Sequence, residues 1–495
     1  MTSRPAFLLT SGRIVGGLAA AFVPLVLVRL LLPAEFGTYK QIFLIYTTLF
    51  GIAQIGMAES LYYFLPHESH RAGRFVANSL LVLLGAGVLC LGLLTIAAPA
   101  AARLMNNPAL AGPLALLGVY LALMLVSNVL EIAMTAKRRF LLAASSFAVS
   151  ELLRAVFFIV PVLLFGSIRA LLAGAALFAL LRVVAAVAWL RREYGSELHA
   201  DMTLLRVQIA YALPFAAAVV VHVLQETFHQ YAVSARFDAA TFAIYAIGCL
   251  QIPLVDTLST SVSSVMMVRM AEDRAAGRIE RILPHWHDTT RTLALLLCPM
   301  VGLLLVNSRA ITHVLFTERF LASAPILMLW SLAFLAAILQ IDGVLRVYAD
   351  TRFLLIMNLC RLGLVLLLIR PFLGLFGLPG AVMVTLLALF CGKAMALLRM
   401  GHLMQVGMRR LLPWFDLGRI AAACVAALLP ALLMRSVVPQ PSWTSLLATG
   451  GAYAIACATL LLLLKAVTIP HHVFAPAWMG RPIHWLRGTE RGQTP

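Results

Sequence analysis

The chain has 495 residues, of which 62% are hydrophobic and only 12% are charged, and its formal net charge is +18. Its mean hydropathy of +0.96 leaves too little polar surface for a soluble protein of this length. Stretches of about 18 or more apolar residues are candidate transmembrane helices, and they fill most of the chain. The composition predicts an all-α polytopic membrane protein and argues against a nucleic-acid-binding one, since no basic run is long enough to form a groove.

About fourteen transmembrane helices are predicted, joined by short loops. In chain order they cover residues 12–32, 38–65, 75–99, 112–135, 141–165, 169–190, 207–234, 239–268, 289–307, 322–345, 353–374, 378–400, 416–435 and 444–466. No loop is long enough for a soluble catalytic domain, and there is no phosphate-binding glycine loop, GxSxG or HExxH motif. We therefore expect a protein that is not an enzyme and needs no cofactor. A proton or sodium gradient is the candidate energy source.

The distribution of lysine and arginine predicts the orientation in the membrane. Of the 38 basic residues, 25 lie in the two termini and in the loops that follow even-numbered helices, nine lie in the loops that follow odd-numbered helices, and four lie inside helices. Basic residues collect in cytoplasmic loops. Both termini and the even loops are therefore expected on the cytoplasmic side. We call the two faces of the protein the even-loop side and the odd-loop side.

Three short patterns occur twice in the same order. "AEFGTY" at Ala34 returns as "ATFAIY" at Ala240, "RFLL" at Arg139 returns at Arg352, and "LFG" at Leu164 returns at Leu375, at offsets of 206, 213 and 211. Matching patterns at equivalent helix ends indicate a duplicated six-helix unit. Because six is even, the two copies form a parallel repeat, as in transporters that work by alternating access. The predicted parts are an N-lobe (1–193), a C-lobe (203–400), two further helices (414–466) and a cytoplasmic tail (467–495).

Charged side chains near the bilayer centre are candidates for a functional site, since they are costly there and usually face a cavity or one another. Arg182 and Arg361 have no evident partner and are expected to line a cavity, whereas Glu151 and Arg154 could pair three residues apart. Arginine suits phosphate oxygens because its charge is permanent and its donors form a fork. The mid-membrane positions are Glu151, Arg154, Arg182, His222, Glu226, Asp256 and Arg361.

Other polar positions favour structural roles or remain open. Glu131 and Asp342 match across the repeat at an offset of 211; both are expected in local salt bridges at helix ends, Asp342 with Arg346. Lys393 could extend to the membrane surface. His222, Glu226 and His229 share one face of helix 7, which suits a polar cavity wall or proton coupling better than a metal site, so no metal is expected. The polar candidates for ion coupling are Glu151, His222, Glu226 and Asp256.

The region "LLPAEFGTYKQIFLIYTTLFGIAQIGMAESLYYFLP" resembles the N-terminal signature of bacterial polysaccharide-transporter flippases, which belong to the multidrug/oligosaccharidyl-lipid/polysaccharide (MOP) exporter superfamily. The matching residues are Leu32, Pro33, Glu35, Phe36, Gly37, Tyr39, Phe64, Leu65 and Pro66. The resemblance implies a flippase that moves undecaprenyl-diphosphate-linked oligosaccharide units across the bacterial inner membrane for O-antigen, capsule or exopolysaccharide synthesis.

Site residues and partners follow from this resemblance as expectations. Arg154, Arg182 and Arg361 would bind the diphosphate–sugar head in a cationic cavity while the lipid tail stays in the bilayer. The partners would be the lipid-linked oligosaccharide and membrane lipid, with polysaccharide polymerase and chain-length machinery as further candidates. A drug or metabolite antiporter of the same superfamily, a peptidoglycan-precursor flippase and a membrane-bound polymerase or ligase stay open as alternatives.

Overall fold

The computed structural model describes residues 3–438 and 441–466, and the predicted tail at 467–495 lies outside this part. A helical segment coincides with each of the fourteen predicted helices. We number these segments α1 to α14: α1 Ser3–Leu30; α2 Pro33–Ala53 and Met57–His67; α3 Ala72–Ile96; α4 Leu114–Ser127 and Val129–Ala136; α5 Phe140–Phe165; α6 Ile168–Tyr194; α7 Met202–Arg236; α8 Ala239–Gly248 and Pro253–Ala275; α9 Ile282–Phe316; α10 Ala324–Ser331, Ala333–Ala336 and Ile341–Val347; α11 Thr351–Phe376; α12 Leu378–Met404; α13 Trp414–Ala426 and Leu428–Val437; α14 Trp443–Leu463.

Most of these segments are long and apolar enough to cross a membrane. Eleven meet that criterion in the described part of the chain, and α7 makes twelve if its two parts, bent by 40°, count as one span. The other two are α1, which is apolar from Gly16, and α8, which is divided into two helices. The all-α multi-pass fold is confirmed, and the count of fourteen spans stays a prediction.

The internal repeat is visible in how the helices pack. In the N-lobe α1 packs on α5, α3 on α4, and α6 on both α4 and α5. In the C-lobe α7 packs on α11, α9 on α10, and α12 on both α10 and α11. Each C-lobe pair is an N-lobe pair shifted by six helices, which is the arrangement that a duplicated unit predicts. The last two segments, α13 and α14, pack on α9 at the outside of the C-lobe.

The two lobes meet closely on the odd-loop side. A Cβ at Gly37, at the start of α2, would lie 1.7 Å from the carbonyl oxygen of Ala239, at the start of α8. The guanidinium of Arg29 donates hydrogen bonds to the carbonyl oxygens of Val314 (2.7 Å) and Leu315 (2.8 Å) in the last turn of α9. The "AEFGTY" and "ATFAIY" patterns thus lie at equivalent helix starts of the two lobes, and these helix starts contact one another.

We expect Gly37→Ala to force the lobes apart on the odd-loop side, because the added methyl group has no room beside the Ala239 carbonyl. The variant should reduce function in the native host and increase the labelling of a Phe320→Cys reporter by a membrane-impermeant thiol reagent, since Phe320 is buried against Phe36 at this contact. Gly85→Ala is the matched control, since nothing lies within 4 Å of that position. Unchanged labelling in Gly37→Ala would contradict the close contact.

Candidate functional site

A cavity of about 490 Å³ lies inside the N-lobe, between α2, α4, α5 and α6. It extends from Arg154, near the middle of α5, to Thr135, near the even-loop end of α4. Broken helices create its polar wall. The two parts of α2 are separated at Gln54–Gly56, where Ile55 and Gly56 have φ of 49° and 68°. Non-helical backbone is tolerated at membrane depth only where protein or a water-filled cavity satisfies its polar groups.

The breaks in α2 and α4 lie side by side. Asn128, between the two parts of α4, donates a hydrogen bond from Nδ2 to Oε1 of Gln54 at 2.9 Å. Both amides line the cavity. This pair was missed by the sequence analysis, which considered only charged and histidine side chains. A signal was available: "QIGMAESL" at Gln54 returns as "QIPLVDTL" at Gln251, and α8 is broken there as well.

The cavity charges are arranged as ion pairs. Arg182 Nη2 lies 2.7 Å from Glu131 Oε2, and Ser146 donates a hydrogen bond to the other carboxylate oxygen at 3.1 Å. Glu151 and Arg154 form an ion pair one helical turn apart on α5. The expectation that Arg182 is unpaired is therefore wrong, because α4 brings Glu131 to it. The lining residues include three carboxylates, at Glu59, Glu131 and Glu151, against two guanidinium groups, so this N-lobe cavity is not cationic.

An equivalent ion pair occupies the C-lobe. Lys393 on α12 has its Nζ 3.9 Å from Oδ1 of Asp342 on α10, and it donates a hydrogen bond to the carbonyl of Leu339 at the break in α10 at 2.9 Å. The partner of Asp342 is thus Lys393 and not Arg346. Lys393 does not extend to the membrane surface but bonds inside the lobe. Both members of this pair follow Glu131 and Arg182 by 211 residues, so the pair itself is duplicated.

Arg361 has a different environment from the other two arginines. With its carboxamide oxygen turned toward the guanidinium, Gln225 of α7 accepts hydrogen bonds from Nε (2.9 Å), Nη1 (2.8 Å) and Nη2 (2.7 Å). Gly392 of α12 leaves room for the arginine stem, since a Cβ there would lie 2.4 Å from Arg361 Cδ. Among the described residues no carboxylate lies within ion-pair distance of Arg361, so a neutral amide holds its charge.

The remaining polar candidates lie on α7 and α8 of the C-lobe. Glu226, His222 and Asp256 are exposed, and Glu226 is close enough to Asp256 and Arg361 for their charges to interact. His229 is separate from them, because it is buried and its Nδ1 lies 2.6 Å from the hydroxyl of Tyr245. The structure therefore brings together Glu151, Arg154 and Arg182 in the N-lobe, whereas in the C-lobe Glu226 is within electrostatic range of Asp256 and of Arg361.

Comparison with known protein families identifies the chain. The family described as "Polysaccharide biosynthesis protein" matches residues 26–325, which is more than half of the chain. The chain belongs to this family. The resemblance drawn from the region around the α1–α2 turn is thereby confirmed. No curated protein matches the chain.

The fold of this polysaccharide biosynthesis protein is that of MOP-superfamily transporters. The Lipid II flippase MurJ in an inward closed conformation is 14% identical, with a TM-score of 0.70, covering 91% of this chain and 100% of its own. An inward-facing multidrug resistance MATE family transporter is 15% identical with a TM-score of 0.55, covering 82% of this chain and 96% of its own. A MOP superfamily transporter from Pyrococcus furiosus is 13% identical with a TM-score of 0.56, covering 81% of this chain and 96% of its own. The fold is thus one of flippases and transporters, and it agrees with the expectation of a non-enzyme.

Proposed function

We propose that this protein is a flippase for lipid-linked oligosaccharide repeat units, the undecaprenyl-diphosphate-linked precursors of a surface polysaccharide. The observation that carries the proposal is a charged cavity at membrane depth inside one of two duplicated lobes, in a member of a polysaccharide biosynthesis family. Two like lobes suit alternating access to a site between them. The lobe contacts at Gly37 and Arg29 close the odd-loop side, and this is the state that would receive substrate from the even-loop side.

Among the three predicted arginines, Arg361 is our candidate for binding the diphosphate head group. Arg154 and Arg182 are neutralised by Glu151 and Glu131, so a phosphate would have to displace a carboxylate from each. The Arg361 guanidinium is held by an amide oxygen instead. A charge-assisted bond from arginine to phosphate is stronger than one to a neutral oxygen, so the exchange of Gln225 for a phosphate oxygen is favourable.

Glu226 and Asp256 are the best candidates for coupling transport to a proton or sodium gradient, with His222 beside Glu226 on α7. Two interacting carboxylates on different helices can share a cation or a proton, and releasing it would leave two like charges close together. Glu151 is a weaker candidate because Arg154 already neutralises it.

The orientation expected from the basic residues completes the proposal. We propose that the protein lies in the bacterial inner membrane with both termini and the even loops in the cytoplasm. Undecaprenyl-diphosphate-linked units are made there and polymerised on the opposite face, so polysaccharide polymerase and chain-length machinery would act on its product.

A strain lacking the gene tests the proposal. We expect loss of surface polysaccharide together with accumulation of complete, unpolymerised lipid-linked repeat units on the cytoplasmic side. A plasmid copy of the wild-type gene should reverse both changes. Accumulation of single units in the outer leaflet would point to a lost polymerase instead. No change in lipid or surface glycan would contradict the proposal and favour a drug or metabolite antiporter.

A peptidoglycan-precursor flippase is the second candidate, because the fold resembles that of the Lipid II flippase MurJ over 91% of this chain. Both candidates carry a lipid diphosphate, so the accumulated lipid decides between them. A disaccharide-pentapeptide lipid with intact surface polysaccharide would favour the second candidate.

A further inference from the structure

We propose that the N-lobe cavity binds the sugars of the lipid-linked substrate and excludes its diphosphate. This inference rests on the proposed flippase function and names the part of the substrate that the cavity recognises. The diphosphate is left to Arg361 in the C-lobe.

The charge of the cavity excludes the diphosphate. Its lining carries three carboxylates and two guanidinium groups, and both guanidinium groups are already paired at Glu131 and Glu151. A diphosphate diester is doubly negative and only accepts hydrogen bonds. Placing it beside Glu59, whose Oε2 is buried without a hydrogen-bond partner among the described residues, would set like charges together at low dielectric.

The hydrogen-bonding groups of the cavity suit hydroxyl groups. The single bond between Asn128 and Gln54 leaves the Gln54 amino group as a donor and the Asn128 carbonyl as an acceptor. Glu59, which also lines the cavity, adds a carboxylate acceptor. The wall therefore offers both donors and acceptors. A sugar hydroxyl both donates and accepts, so an oligosaccharide can satisfy both kinds of group whereas a phosphate can satisfy only donors.

The apolar part of the wall and the cavity size fit the same ligand. Tyr46, Phe50, Tyr62 and Phe147 line the cavity, and aromatic faces can pack against the C–H faces of a sugar ring. The volume of about 490 Å³ falls within the range of about 300–1,000 Å³ that is usual for small-molecule sites.

Binding of two lipids to the full-length protein in nanodiscs tests the inference. One is the lipid-linked repeat unit purified from the deletion strain, and the other is undecaprenyl diphosphate without sugar. The wild type should bind the glycosylated lipid at least about tenfold more tightly, as expected for two or more added hydrogen bonds. In the double variant Gln54→Leu/Asn128→Leu the two affinities should become equal, with the affinity for undecaprenyl diphosphate unchanged.

Matched variants separate the possible outcomes. Gln251→Leu, at the equivalent break in α8, should keep the wild-type preference, and Asn128→Ala should reduce it if the double variant does not fold. Equal binding of both lipids by the wild type, or equal weakening of both in the variants, would overturn the assignment of sugars to this cavity. Binding of neither lipid by the wild type would instead contradict the flippase proposal itself.

Discussion

Arg361→Ala should abolish export of the surface polysaccharide while the protein remains in the membrane at its normal level. The guanidinium is held by the neutral amide of Gln225 and has no carboxylate in ion-pair contact within the described chain, so its loss leaves no buried charge without a partner. It would remove the proposed donor to the diphosphate, and losing such a charge-assisted bond weakens binding by about ten- to a hundredfold. The measurement is surface polysaccharide in a deletion strain that expresses the variant, with the protein quantified in the membrane fraction.

The matched variants for this prediction lie on the same helix. Arg361→Lys keeps the charge but not the fork of donors and should retain part of the activity. Arg370→Ala changes a basic residue at the odd-loop end of α11 and should have no effect. Full export in Arg361→Ala would remove Arg361 from the head-group site.

Arg182→Ala should destabilise the N-lobe. It leaves the largely buried Glu131 carboxylate without the partner that now lies at 2.7 Å, and breaking a fully buried ion pair costs about 3–5 kcal/mol, which is the upper limit here. The thermal unfolding midpoint of the purified protein should fall, and export should fall with it. The double variant Arg182→Ala/Glu131→Ala should recover most of the unfolding midpoint, because it removes both charges.

The duplicated pair in the C-lobe provides an internal comparison. Lys393→Ala should cost less, since its Nζ lies 3.9 Å from Asp342 and the Asp342 side chain is 47% exposed, so solvent screens the charge that is left. An unchanged unfolding midpoint in Arg182→Ala would contradict the account of the Glu131 pair. A larger loss in Lys393→Ala than in Arg182→Ala would contradict the comparison between the lobes.

The helices, their order and the repeat could be predicted from the sequence because hydropathy and duplicated patterns are properties of the chain alone. The partners of the charged residues could not, since pairing depends on which faces of α4 and α6 meet. Arg182 was therefore expected to be unpaired although Glu131 lies beside it. The sequence did contain a usable signal, because the separation of Glu131 from Asp342 equals that of Arg182 from Lys393, and two charges that are duplicated together indicate a pair.

Hydropathy did not predict the helix breaks, although the repeated pattern at Gln54 and Gln251 marks two of them. Ile55 has a positive φ of 49°, which a β-branched residue rarely adopts, so hydropathy and propensity favour an uninterrupted helix through Gln54. Tertiary contacts favour the interrupted helix instead, since the Asn128 side chain donates a hydrogen bond to that of Gln54 where both helices are interrupted. The amide wall of the cavity is therefore a property of the packed lobe and not of either helix.

Translocation by the purified protein tests the central claim most directly. The full-length chain would be reconstituted in vesicles containing fluorescent lipid-linked repeat units from the deletion strain, and the fraction of units accessible to an external quencher would be followed with and without an imposed proton or sodium gradient. We predict that the protein changes this fraction with time and that Arg361→Ala protein does not. The same rate in wild-type, Arg361→Ala and protein-free vesicles would contradict the assignment of this protein as a flippase for lipid-linked oligosaccharides.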